Sequence, residues 1–496
     1  MNKTIKNILY FAIAVVFVKI IGIFNTFYLA KLLLPSEYGV WMTLLLISAY
    51  SSIACLGTVE ALVKLYPFYT GQNRLEDAIK VERGVFGSIV YSAGLFLFGG
   101  FIVSLFLGKS AMSGYVGQIR IMVLTATMSL FSCFYYLRLI SHQNFKRVGL
   151  VDGIRAVTNF AFLMTFTRWW GLNGTVTGFC INECLMMIIS YYYCRPYCKL
   201  VPLFDWKVLF NLVKIGFPIT IIWWIYMVQS SIARILSMHF LGKTATGYLG
   251  LGGSIVSILI LIPMTIGRVL YPKINEEIGK SDTGDMGKFV VVPARLLSLV
   301  VAMALGALVI ITPLLITTYF KKYLPAINCT ILLLLGGFFV SLNQNGINYL
   351  VAANKQRSLL YFIVTALSVN VIVCFGFIKA GFGIIGIALG QNISSVVFTS
   401  LIWYSVFFHL KYPIRNCFYY LLKLYLPFII TGLCLGALIL FRHLNTENNY
   451  LTLGVYLVSY CIFFAALVWF FPLFSELKGD VQRVIKMRGG KIKEVV

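Results

Sequence analysis

The chain has 496 residues, 60% of them hydrophobic and only 11% charged, and a mean hydropathy of +0.89, whereas soluble domains carry roughly a quarter charged residues. That balance excludes a water-soluble protein, because a soluble core cannot absorb so much apolar surface, while a bilayer takes about 20 apolar residues per helical span. The net charge of +25 would suit a nucleic-acid partner if it lay on one folded face, but it is dispersed loop by loop, so no nucleic-acid partner is expected.

Apolar windows bounded by charges, Gly and Pro predict fourteen membrane spans in chain order: 8–30, 40–62, 84–107, 117–138, 149–167, 172–194, 216–238, 247–270, 293–316, 326–350, 358–378, 384–408, 419–441 and 450–472. The expected fold is an all-α integral membrane protein. The first span follows Lys3 and Lys6 as a signal peptide would, but it exceeds signal length and lacks a small-residue cleavage site, so it is read as helix one. An even span count puts both termini on one side of the membrane. With the N-terminus inside, 30 of the 41 Lys and Arg residues fall in cytoplasmic segments, Arg138, Arg147 and Arg155 among them, nine fall outside, and Lys19 and Arg234 lie within spans. Positive charge is retained in the cytoplasm during insertion, so this split supports both cytoplasmic termini and the span count. A basic tail, 476–496, closes the chain and can rest on anionic headgroups.

Signals for enzyme chemistry are sparse. All four histidines map to loops or helix ends, the outer loops are short, and no Gly-rich phosphate loop precedes Lys and Ser or Thr. Most of the eleven cysteines, Cys55 and Cys133 included, fall inside spans as small apolar residues, and the Cys194/Cys198 spacing matches no standard zinc pattern. No metal or cofactor is expected.

What remains is polarity inside the bilayer, where a charge is costly and is functional or paired. Lys19 lies at the centre of the first span, and a cationic cavity role competes with a buried ion pair. Glu183, in the polar pair Asn182-Glu183 of span six, is the candidate either for Lys19's partner or for a protonatable coupling group. Arg234 is one turn from the outer end of span seven, so snorkelling competes with a substrate-binding role. Glu60 stands four residues before Lys64, which fits a local i,i+4 pair as well as ion coupling. Asn25, Asn159, Gln229 and Asn345 are candidates for polar cavity lining or for helix glue.

A weak internal repeat runs through the chain. Leu33-Leu34-Pro35-Ser36-Glu37-Tyr38-Gly39-Val40-Trp41 is echoed six spans later by Leu241-Gly242-Lys243-Thr244-Ala245-Thr246-Gly247-Tyr248-Leu249, and Leu65-Tyr66-Pro67 by Leu270-Tyr271-Pro272. Copies six spans apart share one orientation, which implies two lobes related by an axis along the membrane normal, with a central cavity between them. Pro218 and Pro263 offer bend points.

The stretch from Ala30 to Trp41, the run Leu62-Val63-Lys64-Leu65-Tyr66-Pro67, and Arg234 with Leu241-Gly242 and Gly247-Tyr248 resemble the polysaccharide transporter family. This family includes the Wzx-type O-antigen flippases of the multidrug/oligosaccharidyl-lipid/polysaccharide exporter (MOP) superfamily. The resemblance implies an N-lobe at 1–200 (helices 1–6), a C-lobe at 201–410 (helices 7–12), and two appended helices at 411–475. It implies a flippase, not an enzyme, that carries an undecaprenyl-diphosphate-linked oligosaccharide from the cytoplasmic to the periplasmic leaflet by alternating access. The setting it implies is surface polysaccharide or lipopolysaccharide biosynthesis in a bacterial inner membrane. Lys19 and Arg234 would then draw in the diphosphate, a proton or sodium gradient would drive transport, and polysaccharide assembly proteins would be partners. Where family members often have Asp-Arg, this chain has Ala233-Arg234. A lipid II flippase or a multidrug exporter of the same fold, and a membrane-bound polymerase or acyltransferase, are the alternatives.

Overall fold

The structure is a computed structural model that describes residues 3–106, 113–197, 201–279, 286–442 and 450–470. The basic tail read from the sequence lies outside the described residues, as does Cys198. Among the described residues fourteen α-helices follow one another: α1 Lys3–Leu32, α2 Pro35–Ser51, α3 Thr58–Gly71, α4 Leu75–Phe106, α5 Val116–Ser141, α6 Phe145–Cys194, α7 Trp206–Phe240, α8 Gly242–Gly279, α9 Met286–Tyr319, α10 Ala326–Ala352, α11 Gln356–Lys379, α12 Gly383–His409, α13 Ile414–Arg442 and α14 Tyr450–Phe470. No strand occurs among the described residues. Among the described residues, ten of the helices are long and apolar enough to cross a membrane, eleven when the bent α7 is taken as one span. An all-helical chain is what a hydrocarbon solvent demands, since each backbone amide must find its partner within its own segment.

Three stretches of the chain differ from simple rods. The second predicted span is discontinuous. After α2 the chain passes through a short 3-10 turn, Ser52–Cys55, then Leu56 (φ 48°) and Gly57 (φ 81°), before α3 begins. The sequence reading, a single helix over 40–62, is corrected here, because left-handed backbone cannot continue an α-helix. Gly57 also lies against Gly216 of α7, and a Cβ on either glycine would overlap the backbone of the other. We therefore expect Gly57→Ala to cost at least about 1–2 kcal/mol for the backbone alone, with the overlap adding to it. Gly94→Ala, with open space around the added atom, should cost little. Unfolding of the two purified variants in an SDS titration compares them, and equal stabilities would refute the reading.

α6 is the reverse case. Its 50 residues would reach about 75 Å if straight, more than twice a hydrocarbon core of about 30 Å. The chain instead folds back at Trp170 and Gly171, the latter at φ 55°, giving the two spans read as 149–167 and 172–194. α7 is bent too: Trp206–Pro218 and Trp223–Phe240 meet at 59°, at the proline read as a bend point.

Contacts divide the chain into two compact units, Met1–Leu251 and Gly252–Val496. In the first, α1 packs on α6, α6 on α5, α5 on α4, and α3 on α4, α5 and α7. Its core gathers Leu62, Val85, Ile89, Phe134, Leu139, Val151 and Met186. The two copies of the sequence repeat also meet there: a Cβ on Gly39 would overlap the Lys243 carbonyl, and one on Gly247 the Pro35 carbonyl. Equivalent positions facing one another are what a two-fold relation between copies produces. In the second unit α10 packs on α9 and α12, and α12 on α11. α13 and α14 are anchored on α9, where Thr431 and Tyr460 both donate to the Ala302 carbonyl at 3.1 and 3.0 Å.

Candidate functional site

The break between α2 and α3 opens space inside the first unit. A cavity of about 410 Å³ lies beside it, lined by the end of α2, the 3-10 turn, the start of α3 and faces of α4, α5 and α6. Glu60, in the first turn of α3, lines it together with Asp152 and Arg155 of α6 and Tyr136 of α5. Tyr136 donates to Asp152 Oδ2 at 3.0 Å. Arg155 donates from Nη1 to Glu183 Oε1 at 3.3 Å and from Nη2 to Ser132 Oγ at 2.7 Å. The group therefore holds three carboxylates, Glu60, Asp152 and Glu183, against one guanidinium. Glu183 is 4% exposed, and its second oxygen has no partner among the described residues.

Two pairings weighed from the sequence are corrected by this arrangement. Glu183 is held by Arg155, not by Lys19, because the two halves of the folded α6 lie side by side and bring residues 28 positions apart into contact. Glu60 forms no salt bridge with Lys64 among the described residues; its carboxylate faces the cavity, and Lys64 is exposed. Arg155, read from the sequence as one more cytoplasmic charge, stands inside α6 and lines the cavity. Asp152 and Arg155 were the residues that sequence reasoning missed. The available signal was a carboxylate and a guanidinium three residues apart inside the predicted span 149–167, on one face of a helix.

Lys19 is exposed on α1 and has no ion-pair partner among the described residues. By helical geometry it lies within about 60° of Gly22 and Thr26, and about 140–160° from Phe24 and Phe17. These two phenylalanines are 64% and 47% exposed, so α1 carries an apolar stripe on one side and Lys19 on the other. Asn25 points to α6, where its amide donates to Asn159 Oδ1 at 2.8 Å, so these two residues tie α1 to α6. Arg234 of α7 is half-buried, and its electrostatic neighbours are Tyr50 and Tyr38. Gln229 Oε1, on the same helix, is buried without a partner among the described residues. In the second unit Asn345 is 2% exposed with both amide atoms unpartnered among those residues. Beside it Asn348 donates to the Gly267 carbonyl at 2.9 Å.

No family model matches the chain, and no curated protein matches it in sequence. Solved structures do resemble it. The lipid II flippase MurJ in an inward closed conformation superposes with a TM-score of 0.70 at 17% identity, over 93% of this chain and 99% of that one. A multidrug resistance MATE family transporter of the MOP superfamily, inward-facing, gives 0.67 at 12% identity, over 79% and 95%. The MATE transporter VcmN of Vibrio cholerae gives 0.54 at 15% identity, over 82% and 96%. These likenesses define the class of fold: the chain has the helical fold shared by MurJ and the MATE transporters. It is a multi-pass membrane protein of that architecture.

Proposed function

We propose that this protein is a flippase that moves an undecaprenyl-diphosphate-linked oligosaccharide from the cytoplasmic to the periplasmic leaflet of a bacterial inner membrane, by alternating access, for surface polysaccharide synthesis. Lys19 carries the proposal. A mid-span cation that is neither paired nor on the phenylalanine side of its helix needs an anion to offset its cost in the bilayer, and a diphosphate head needs cations to leave water. Arg234 is assigned to the same head group. The prenyl chain stays in lipid, where the aromatic residues, 16% of the chain, can pack along it. A proton or sodium gradient would act on the carboxylates of the first-unit cavity. Polysaccharide assembly proteins are the partners this role calls for.

A second reading, a lipid II flippase, is favoured by the likeness to MurJ over nearly the full length of both chains. It shares the diphosphate chemistry and differs in the sugar. Purified protein in liposomes, given a fluorescent lipid-linked diphosphate oligosaccharide and, separately, labelled lipid II, tests both. Transfer of the first between leaflets without a covalent change is the expected result. Transfer of lipid II alone selects the second reading, and a changed covalent product would defeat both in favour of an enzyme.

A further inference from the structure

The cavity beside Glu60 has a hydrogen-bonding polarity that its charge alone does not reveal. Three of its lining serines spend their protons on the backbone of their own helices. Ser51 Oγ donates to the Ser48 carbonyl at 2.7 Å, Ser52 Oγ to the Ala49 carbonyl at 3.1 Å, and Ser129 Oγ to the Ala126 carbonyl at 2.7 Å. A hydroxyl whose single proton is committed presents only lone pairs to the cavity. The Tyr136 proton is likewise given to Asp152. Glu60 adds a carboxylate with no side-chain partner among the described residues, and Arg155 directs two of its donors elsewhere, to Glu183 and Ser132. The wall is thus rich in acceptors, its remaining donors being the other guanidinium N–H groups of Arg155 and the Ser48 hydroxyl, and the formal charge of Glu60, Asp152 and Arg155 together is negative. Behind Arg155, the 4%-exposed Glu183 keeps a second oxygen unpartnered, which leaves the acidic excess uncompensated by the protein.

A ligand complementary to such a wall brings donors and one positive charge. The volume, about 410 Å³, falls in the range of roughly 300–1,000 Å³ occupied by small-molecule sites. Among the described residues Tyr136 is the one aromatic side chain in the wall, which argues against a flat hydrophobic cation and for a compact polyhydroxylated one. The apolar patch formed by Val59, Ile89, Leu130 and Leu137 suits the C–H face of a pyranose ring. We infer that this cavity binds an amino sugar, its ammonium group on Glu60 and its hydroxyls donating to the serine and Asp152 oxygens. The inference rests on the proposed function, in which that sugar belongs to the transported glycan.

Cys133 lines the same cavity and is exposed, and Cys461 of α14 is exposed in the other unit. Their modification rates by a small thiosulfonate reagent, read peptide by peptide by mass spectrometry on the full-length protein in detergent, report occupancy and provide an internal control. Glucosamine hydrochloride at ten times its Kd is expected to slow Cys133 labelling about tenfold by occupancy and leave Cys461 unchanged. N-acetylglucosamine, which lacks the charge, should protect far less, and Glu60→Gln should remove the protection. Equal protection by sodium chloride at matched ionic strength would make the cavity a simple cation site and overturn the inference. So would an absence of protection by glucosamine, or protection undiminished in a folded Glu60→Gln protein. The comparison of the two sugars stands on the wild-type chain, so it holds even where the variant does not fold. Flipping in liposomes without protection removes the amino sugar alone, whereas protection without flipping removes the proposed function.

Discussion

Arg138→Met is expected to destabilise the protein by about 3–5 kcal/mol, the cost of leaving one partner of a buried ion pair uncompensated. Arg138, in the last turn of α5, and Glu82, in α4, are each 2% exposed and meet through Nε and Nη2 of the guanidinium. His142 Nε2 lies 3.2 Å from the same carboxylate, while its Nδ1 lies 3.2 Å from the Tyr66 hydroxyl. The His142 ring is stacked on that of Tyr197 at 4.0 Å. α3, α4, α5 and the segment after α6 are thereby joined at one buried polar knot. Solvent cannot enter to compensate, so Glu82→Leu, which removes the carboxylate from the guanidinium, should cost a similar amount. The double variant should cost clearly less than the sum of the two, with a coupling energy of roughly 1–3 kcal/mol. SDS titrations of purified protein give the three values, and strict additivity would show that the pair is not an energetic unit. Raising the salt concentration should change little, because screening acts weakly on buried charges.

Lys19→Gln is expected to lower flipping in liposomes by roughly 10- to 150-fold and to abolish surface polysaccharide in cells while the protein level holds. A hydrogen bond to a charged group contributes about 1.5–3 kcal/mol, and each 1.4 kcal/mol is about a factor of ten. Because Lys19 is exposed and has no ion pair among the described residues, its loss removes no stabilising contact and should not lower stability. That separates a transport role from a structural one. Lys19→Arg, which keeps a cation on the Gly22 and Thr26 side of α1, should retain a measurable share of transport. Full activity in Lys19→Gln would remove the residue from the mechanism, and full activity also in Arg234→Gln would remove the cationic head-group site altogether.

The span pattern was readable from the chain because insertion into a bilayer is decided locally. Some 20 consecutive apolar residues suffice to specify a helix. The glycine shared by the repeat copies, Gly39 and Gly247, was readable for a related reason: close backbone approach tolerates no side chain there. The break in the second span was not readable, since Leu56 and Gly57 lie within an apolar run, and only the approach of α7 through Gly216 shows why the chain turns there. The site was legible as a set of residue types and not as a set of partners. Glu60 and Glu183 stood out as acids in hydrocarbon, but their neighbours depended on which helix faces meet. Arg155 reaches Glu183 across the α6 fold-back, 28 residues away, and Arg138 reaches Glu82 across 56. Hydropathy counts both arginines as cytoplasmic charges because it sums over windows along the chain. Only packing, which brings distant windows together and excludes water from between them, turned one into the wall of a cavity and the other into a buried clasp.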